Sequence, residues 1–308
     1  LVDAARKYFT YEGKVWAIPW DMEVFVRHYR TDEWGQLGEK PAETLDEWNQ
    51  QLLELKKMFP NKTPLCLARA GDDPDVNNLI QIWTTEQWQF VDGQWCLDSK
   101  GDAYGEYLNL HKFWYDNKII TDDSWSGETW DQVWNRGDGL TTATSAAWAF
   151  AIARKVFGYE AIDCVANPVL EKGGTPRGHT FTNASWLFKG GPLLQETVDW
   201  LLWMFDPTIE KIGNYSFYKG DLNYYHLPVY KSAYENLVPM DPTWGWMTPI
   251  LAQVNASITI PAGTYRGIWI ASSKLWEDKY VRGKCTLKEA QEGVWNDSWD
   301  QLKKIVSK

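Results

Sequence analysis

Trp20, Asp21 and Glu23 place an aromatic ring beside two carboxylates, in a short segment between two β-rich runs of the chain. Ionised carboxylates are strong hydrogen-bond acceptors, and an indole ring offers a large apolar face with one N–H donor. This combination at a strand junction is typical of an element that faces a ligand. A β-turn with a solvated acid and a half-buried tryptophan has the same residues, so the segment alone leaves both interpretations open.

The chain lacks the common signatures of catalysis. Its four histidines are scattered, and no HExxH, GxSxG or GxGxxG motif is present. His111 lies on an aromatic helical face, so we expect a packed surface histidine rather than a ligand-binding one. The two acids of a glycosidase need only meet in space, so a Trp-lined glycoside hydrolase stays open as an alternative. We predict a protein that is not an enzyme and has no cofactor or metal.

The composition argues against several partners. The net charge is −10 and no block of Lys or Arg occurs, which argues against nucleic acid or an anionic membrane as a partner. The longest apolar run, residues 146–153, is far shorter than the ~20 residues that cross a bilayer. The cysteines are widely spaced without a CxxC pair, which argues against a zinc site. Spacing does not decide whether they are buried thiols or disulfides; they are Cys66, Cys96, Cys164 and Cys285.

Tryptophan is unusually frequent, at 21 of 308 residues, besides 15 Tyr and 11 Phe. A core alone rarely needs so many indoles, because each buried indole needs a partner for its N–H. Sugar rings stack their C–H faces on flat aromatic rings, while their hydroxyls bond to acids, amides and indole N–H groups. The excess of Trp therefore favours a carbohydrate site or another aromatic-lined groove.

Local patterns predict alternating strands and helices around these residues. Thr44 and Glu47 form a capping box before an amphipathic helix that Pro60 ends, and Thr286 and Glu289 repeat the box before the last helix. A hairpin with an Asp-Gly turn is expected over 90–95, and helices over 76–88 and 192–205. Buried strands are expected over residues 15–18 and 63–68, and further strands over 24–29, 140–144 and 161–168.

The chain resembles the extracellular solute-binding proteins of bacterial ABC importers, in particular the sugar-binding, maltose-binding-protein-like family. The first inter-lobe crossover of that family is similar to Gly13-Lys14-x-x-Ala17-x-Pro19, extended chain, then Tyr29-Arg30-Thr31-Asp32. The family's Pro-x-Thr-x-x-Glu helix start has its counterpart, with one residue inserted, in residues 41–47. Residues 181–187 and 227–234 resemble the second and third crossovers.

This resemblance implies an α/β, two-lobed periplasmic-binding-protein fold of type II. Lobe one would hold residues 1–22 and 187–228, and lobe two residues 26–183 and 232–308. The hinge crossovers would lie near 22–26, 183–187 and 228–232. A family member has a further segment before the position of Leu1, so we expect an incomplete lobe one with its N-terminal segment missing.

The resemblance also implies which residues contact the ligand. Trp148 corresponds to the family tryptophan that stacks on sugar at a strand exit, and Phe150 follows on the same wall. Trp246 and Trp244 lie at a helix start where family members often carry a Trp that faces the cleft. A core position for Trp148 stays open, as does a helix-start role for the acids of the 72–75 loop. The remaining expected contacts are Trp20, Asp21, Glu23, Asp73, Asp75 and Asn183.

The function that the resemblance implies is capture of an oligosaccharide between the lobes and its delivery to the membrane permease of an ABC importer. Such a protein is extracellular or periplasmic, and in some cases anchored as a lipoprotein through its N-terminus. We expect a monomer with no nucleic-acid partner. The same fold could bind another small solute such as a polyamine, for which acids lining an aromatic box would also serve.

Overall fold

A computed structural model gives the fold of this chain. It describes residues 3–67, 73–122, 124, 130–143, 145–187, 191–204, 206, 215–216, 220–221, 227–233, 235, 250–258, 260 and 265–306. Within these residues, none of the helices has the length and apolar character needed to cross a membrane.

The described residues form alternating strands and helices. The strands are β1 (Thr10–Tyr11), β2 (Lys14–Val15), β3 (Ile18–Arg30), β4 (Thr63–Cys66), β5 (Trp88–Val91), β6 (Gln94–Leu97), β7 (Gly139–Thr142), β8 (Ser145–Ala146), β9 (Ile162–Val165), β10 (Thr180–Ser185), β11 (Tyr215–Ser216) and β12 (Gly220–Asp221). The helices are α1 (Asp3–Tyr8), α2 (Thr31–Trp34), α3 (Leu45–Met58), α4 (Asp73–Leu79), α5 (Asp102–Asp116), α6 (Trp130–Asn135), α7 (Ala147–Phe157), α8 (Leu194–Met204), α9 (Leu251–Ala256), α10 (Arg266–Val281) and α11 (Leu287–Val306).

The main sheet is built around β3, whose run of β-branched and aromatic residues favours extended chain. β3 pairs antiparallel with β7, β8, β9 and β10, and β7 pairs parallel with β4. Every residue of β3 is buried or half-buried, because helices cover both faces of the sheet. This mixed sheet with surrounding helices confirms the predicted α/β class.

Pro19 lies inside β3, where the sequence predicted the end or the edge of a strand. The ladder between β3 and β10 shifts at this point, since Asp21 pairs with Asn183 whereas Pro19 pairs with Ala184. Proline has no N–H to donate to the ladder, and the strand continues through it with a bulge in β3 itself, where Trp20 is the extra residue.

The three segments predicted as crossovers lie side by side. Met22 of β3 is opposite Thr182 of β10 on one side and forms an isolated bridge with Leu227 on the other. The Met22 N–H donates to the Leu227 carbonyl at 2.9 Å, and the Leu227 N–H donates back at 2.8 Å. Three segments of the chain, which are distant in sequence, therefore meet at Met22.

The largest core cluster joins α3, α5, α10 and α11 on one side of the sheet. Many tryptophans belong to such cores: Trp34, Trp48, Trp114, Trp134 and Trp269 have no exposed surface. The high Trp content is thus due in part to core packing, although the sequence favoured a binding groove. Other indoles are exposed, among them Trp16 and Trp186.

Most local predictions of elements are confirmed, and besides the strand end at Pro19 two are wrong. The hairpin forms with Asp92 and Gly93 at its turn, both at positive φ (48° and 78°). The predicted buried strand over 15–18 is not buried at Val15 and Trp16, because no layer covers these residues within the described chain. The predicted helix over 76–88 ends at Leu79 and continues as a short 3₁₀ turn over 80–82.

All cysteines are free thiols in this structure, and Cys66, Cys96 and Cys164 are buried. Burial raises the pKa of the Cys66 thiol to about 12 and that of Cys96 to about 11. These thiols are therefore protonated core groups at neutral pH, which answers the question that cysteine spacing left open.

Candidate ligand site at the strand crossovers

A ladder of polar and aromatic side chains lies on one face of the β3–β10 pair. Asp21 and Glu23 of β3 stand directly opposite Asn183 and Phe181 of β10. Alternate residues of a strand point to the same face, and directly opposed residues share that face. The two predicted acids and the predicted amide are therefore brought together, with the Phe181 ring opposite Glu23.

Asp21 and Asn183 form the polar end of this ladder. The Asn183 amide donates to Asp21 Oδ1 at 2.7 Å, which fixes the orientation of both groups. Asp21 has no exposed surface, whereas Asn183 and Glu23 are half-buried. A ligand at this face would meet Glu23 and Asn183 directly, and Asp21 would act by holding the amide in place.

Phe25, His179 and Phe181 form the aromatic end. Phe25 stacks on His179 with ring centroids 5.8 Å apart, and Phe181 meets His179 edge-on at 4.4 Å. Burial lowers the pKa of His179 to about 3, so its imidazole is neutral and acts as one more flat ring at neutral pH. Phe181 is the member that stays half-buried, and Arg266 at the start of α10 places its guanidinium carbon 4.9 Å from the Phe181 ring centroid.

Phe181 and Arg266 were not among the residues predicted from the sequence. Phe181 could have been found, because it precedes Asn183 by two residues in a predicted strand and so shares its face. Arg266 had no such signal, because it reaches the site from a helix more than eighty residues further along the chain.

Trp20 lies apart from this ladder. It belongs to the alternate set of β3 side chains and packs, with Ile18, against Leu201 and Met204 of α8. Trp186, just beyond the end of β10, is exposed and meets Phe9 edge-on at 5.9 Å. An apolar wall thus flanks the crossovers on the side of α8.

The side chains of the other predicted contacts, except Asp75, lie outside the described residues. Trp148 and Phe150 belong to α7 and Asp73 begins α4, but their side chains lie outside the described residues. Trp244 and Trp246 lie outside the described residues altogether.

Asp75 is fully buried in a polar cluster between helices, not at an open surface. Its Oδ2 accepts a hydrogen bond from Tyr107 at 2.8 Å, and its Oδ1 lies 3.5 Å from His111 Nε2. A carboxylate without exposed surface does not line a cleft in this structure, so we leave Asp75 out of the proposed contacts. His111 is likewise buried, not the packed surface histidine expected from the sequence.

Asp75, His111 and Glu277 carry the ligand types of a metal site and lie close enough to share an ion. The two carboxylates, however, face different ring nitrogens of His111, with Glu277 at Nδ1 and Asp75 at Nε2. Both carboxylates raise the pKa of His111 to about 10 against the opposing effect of burial. This geometry fits an imidazolium held between two acids better than a metal, which only one ring nitrogen could bind.

No protein-family model matches the sequence, and no curated protein is significantly similar to it. Solved structures match nearly the whole chain at low identity. A cyclo/maltodextrin-binding protein complexed with maltotetraose has a TM-score of 0.74 and 15% identity, over 98% of this chain and 74% of that chain. Maltose-bound MalE3 of T. maritima has a TM-score of 0.71 and 12% identity, over 97% and 76%.

A third solved structure is the cyclic alpha-maltosyl-1,6-maltose binding protein from Arthrobacter globiformis. Its TM-score is 0.72 at 16% identity, over 97% of this chain and 75% of that chain. At such identities the likeness bears on the fold, and it agrees with the mixed sheet and crossovers described above. The chain therefore has the α/β fold of the two-lobed maltose- and maltodextrin-binding proteins.

Proposed function

We propose that this protein is the substrate-binding component of an ABC importer and captures an oligosaccharide between two lobes. The observation that carries the proposal is the likeness of nearly the whole chain to three solved proteins that bind maltose-type sugars. The ladder on β3 and β10 adds support, because it combines half-buried acceptors and donors with an aromatic face, as a sugar requires.

In this proposal the lobes keep the predicted limits, with lobe one over 1–22 and 187–228 and lobe two over 26–183 and 232–308. The hinge is the junction around Met22, where three chain passages meet. Two lobes joined only by crossovers can close around a ligand by a hinge motion. Closing would exclude water and strengthen hydrogen bonds between sugar hydroxyls and carboxylates.

The proposed contacts combine the ladder with the residues implied by the family resemblance. Glu23 and Asn183 bind hydroxyls, Phe181 stacks on a sugar face, and Arg266 donates from the start of α10. Asp21 positions Asn183, and Trp20 supports the wall on the side of α8. The contacts that rest on the resemblance alone are Trp148, Phe150, Asp73, Trp244 and Trp246.

The protein would act outside the cytoplasmic membrane, as a monomer that delivers its sugar to a membrane permease. Anchoring as a lipoprotein remains a prediction of the family resemblance. The sugar is released unchanged, since the proposed role is binding and the neighbours of known structure are named as binding proteins.

The test is a tryptophan-fluorescence titration against a panel of oligosaccharides, with chromatography of the sugar afterwards. A saturable change with intact sugar recovered supports the receptor. Cleaved sugar contradicts it and favours the glycoside hydrolase. No response to any sugar contradicts the ligand class but not the fold.

A polyamine is the second candidate ligand, because acids and aromatic rings meet on the same face. Arg266 beside Phe181 disfavours it, since a fixed cation at the site repels a polycation. Salt separates the two ligands, because polyamine binding weakens steeply with ionic strength while binding of a neutral sugar does not.

A further inference from the structure

A closed ring of polar contacts joins three helices inside the larger core. Tyr107 donates toward Asp75 Oδ2 and Glu277 Oε2, with oxygen–oxygen distances of 2.8 and 2.9 Å. His111 contacts Glu277 Oε1 through Nδ1 and faces Asp75 Oδ1 at 3.5 Å through Nε2. None of these four side chains has exposed surface. We call this set the buried ring: Asp75 of α4, Tyr107 and His111 of α5, and Glu277 of α10.

Counting the protons in the buried ring shows that two ionised carboxylates do not fit it. The Tyr107 hydroxyl has a single hydrogen but lies within hydrogen-bond distance of two carboxyl oxygens. If both carboxyls were ionised, one of these contacts would set two lone pairs against each other. A proton on one carboxyl removes the conflict, because that carboxyl then donates to the Tyr107 oxygen while Tyr107 donates to the other.

Glu277 is the carboxyl that the fold favours as the proton carrier. It lies towards the C-terminal end of α10, just before the last turn, and this is the negative end of the helix dipole, which does not favour an anion. Burial raises the pKa of Glu277 in the same direction. Asp75 lies in the first turn of α4, where the dipole has the opposite sign and favours a carboxylate.

We propose that the buried ring holds a neutral Glu277 beside a charged His111 at neutral pH, and that this proton arrangement locks α4 and α10 onto α5. The His111 imidazolium then donates through Nδ1 to the Glu277 carbonyl oxygen, and its Nε2 lies 3.5 Å from the Asp75 carboxylate, whose charge it faces. One cation faces one anion, which avoids the large cost of an uncompensated buried charge.

The stabilisation that the buried ring gives to the packing of α4 and α10 on α5 is predicted to be lost as pH rises. Tyr104 and Ser273, hydrogen-bonded at 2.6 Å, flank the buried ring, and burial keeps the pKa of Tyr104 and Tyr107 above its usual range. The groups that set the pH dependence are thus His111 and Glu277. Burial lowers the pKa of His111, but the neighbouring acids raise it above the ordinary 6.5, so the stabilisation from its charge is complete below pH 6.5 and is lost as pH rises through the raised pKa. The raised pKa of Glu277 acts in the same direction, because the native state again binds the extra proton.

Two substitutions that each replace a carboxyl by an amide test the assignment. Glu277→Gln keeps the donor and acceptor pattern of a protonated carboxyl, so we expect the urea midpoint at pH 7 to stay close to that of the wild type. Asp75→Asn removes the counter-charge of His111, so we expect a lower midpoint and a pKa of His111 that falls by roughly 1–3 units. Glu86→Gln, on the exposed surface, is the control for the substitution itself.

The protonation state of His111 is the measurement that distinguishes this proposal from a role of the buried ring in packing alone. The chain has only four histidines, and burial lowers the pKa of His28 and His179 to about 3, so an imidazolium signal from a buried ring is readily assigned by ¹⁵N NMR. We expect the His111 imidazolium at pH 7 in the wild type and in Glu277→Gln. Its loss in Glu277→Gln, together with a midpoint as low as that of Asp75→Asn, would overturn the proposal.

Two further measurements keep the test decisive. If Asp75→Asn does not fold, infrared spectra of the wild type and Glu277→Gln still decide, because the proposal requires a protonated-carboxyl band that Glu277→Gln removes. Addition of Zn²⁺ that abolishes the imidazolium signal at pH 7 would overturn the proposal in favour of a metal site. The buried ring does not depend on the proposed sugar binding, so neither result bears on that function.

Discussion

Phe181 is the half-buried aromatic ring between the polar and the apolar ends of the ladder. Its neighbours Phe25 and His179 are buried and hold it from one side, while Arg266 lies over its ring. A ring held in this way loses little freedom when it stacks on a ligand. It is therefore the described residue whose removal is expected to reduce affinity most directly.

Phe181→Ala is predicted to weaken binding of the preferred oligosaccharide about 5- to 10-fold, roughly 1–1.4 kcal/mol, because an aromatic contact face is lost. The measurement is the fluorescence titration, repeated by calorimetry. Phe90→Ala, which removes an exposed ring from the distant hairpin, serves as the control. Unchanged affinity in Phe181→Ala would show that the ladder does not contact the sugar.

Gly293 is a second position where a single residue decides the packing. A Cβ atom at Gly293 would lie 2.2–2.6 Å from three ring atoms of Trp276, which is donor to Asp297 at 2.7 Å. Only glycine allows α11 to approach α10 so closely, and the hydrogen bond of the indole N–H to Asp297 holds the ring in place. The ring therefore has no easy way to move aside.

Gly293→Ala is predicted to lower the free energy of unfolding by about 1–3 kcal/mol, because overpacking forces the Trp276 ring or the helix axis to shift. Urea unfolding measures it. Gly267→Ala is the matched control: it lies in α10 with open space at its Cβ, and there the loss of unfolded-chain entropy should raise stability by about 0.4–1 kcal/mol. Equal effects of the two substitutions would contradict the packing account.

At the scale of elements, local signals worked where the partner groups lie within one turn. The Glu47 N–H donates to Thr44 Oγ1 at 3.3 Å, and Thr44 Oγ1 lies 2.9 Å from Glu47 Oε2. Thr286 and Glu289 form the same box at 2.9 and 3.3 Å. These boxes were predicted correctly because each needs only residues that are three apart in sequence.

Thr44→Ala is predicted to cost about 1 kcal/mol of stability, because the first turn of α3 loses its side-chain acceptor. Thr286→Ala should have an effect of the same size at α11. The exposed loop residue Thr175, replaced by Ala, gives the baseline for a threonine without a capping role. The unfolding midpoint in urea measures all three, and a Thr44→Ala midpoint equal to that of Thr175→Ala would contradict the prediction.

Element predictions failed where burial depends on what lies across from the chain. Val15 and Trp16 have the composition of a buried strand but lie exposed, and the helix expected over 76–88 ends at Leu79. β3 continues through Pro19 with a bulge at Trp20 and stays paired with β10 on both sides of it. In each case the deciding neighbour is far away in sequence, so no local window contains it.

At the scale of the whole molecule, the proposed function requires the two lobes to move about the crossovers near Met22. Saturation with the bound oligosaccharide is predicted to lower the radius of gyration in small-angle X-ray scattering, because hinge closure brings the lobes together. The control is a sugar of the panel that gives no fluorescence response. An unchanged radius of gyration with bound sugar would contradict the hinge, while leaving the binding itself intact.

The sequence by itself determined the α/β class, the capping boxes, the hairpin turn and the family resemblance. All of these depend on residue types and short spacings, which the chain carries whatever its surroundings. Of the candidate contacts, Asp21, Glu23 and Asn183 were named from sequence and lie together in the structure. Their contact with a ligand stays a prediction.

Only the tertiary structure decided which polar residues face outward and which are locked inside. Asp75 and Glu23 are both acids near predicted strands, yet Asp75 is sealed among three helices and Glu23 lies half-buried beside Phe181. The contribution of Arg266 and the buried ring of His111 likewise required the packing of α10. The physical reason is that burial and charge pairing are set by groups distant in the chain, which sequence spacing does not encode.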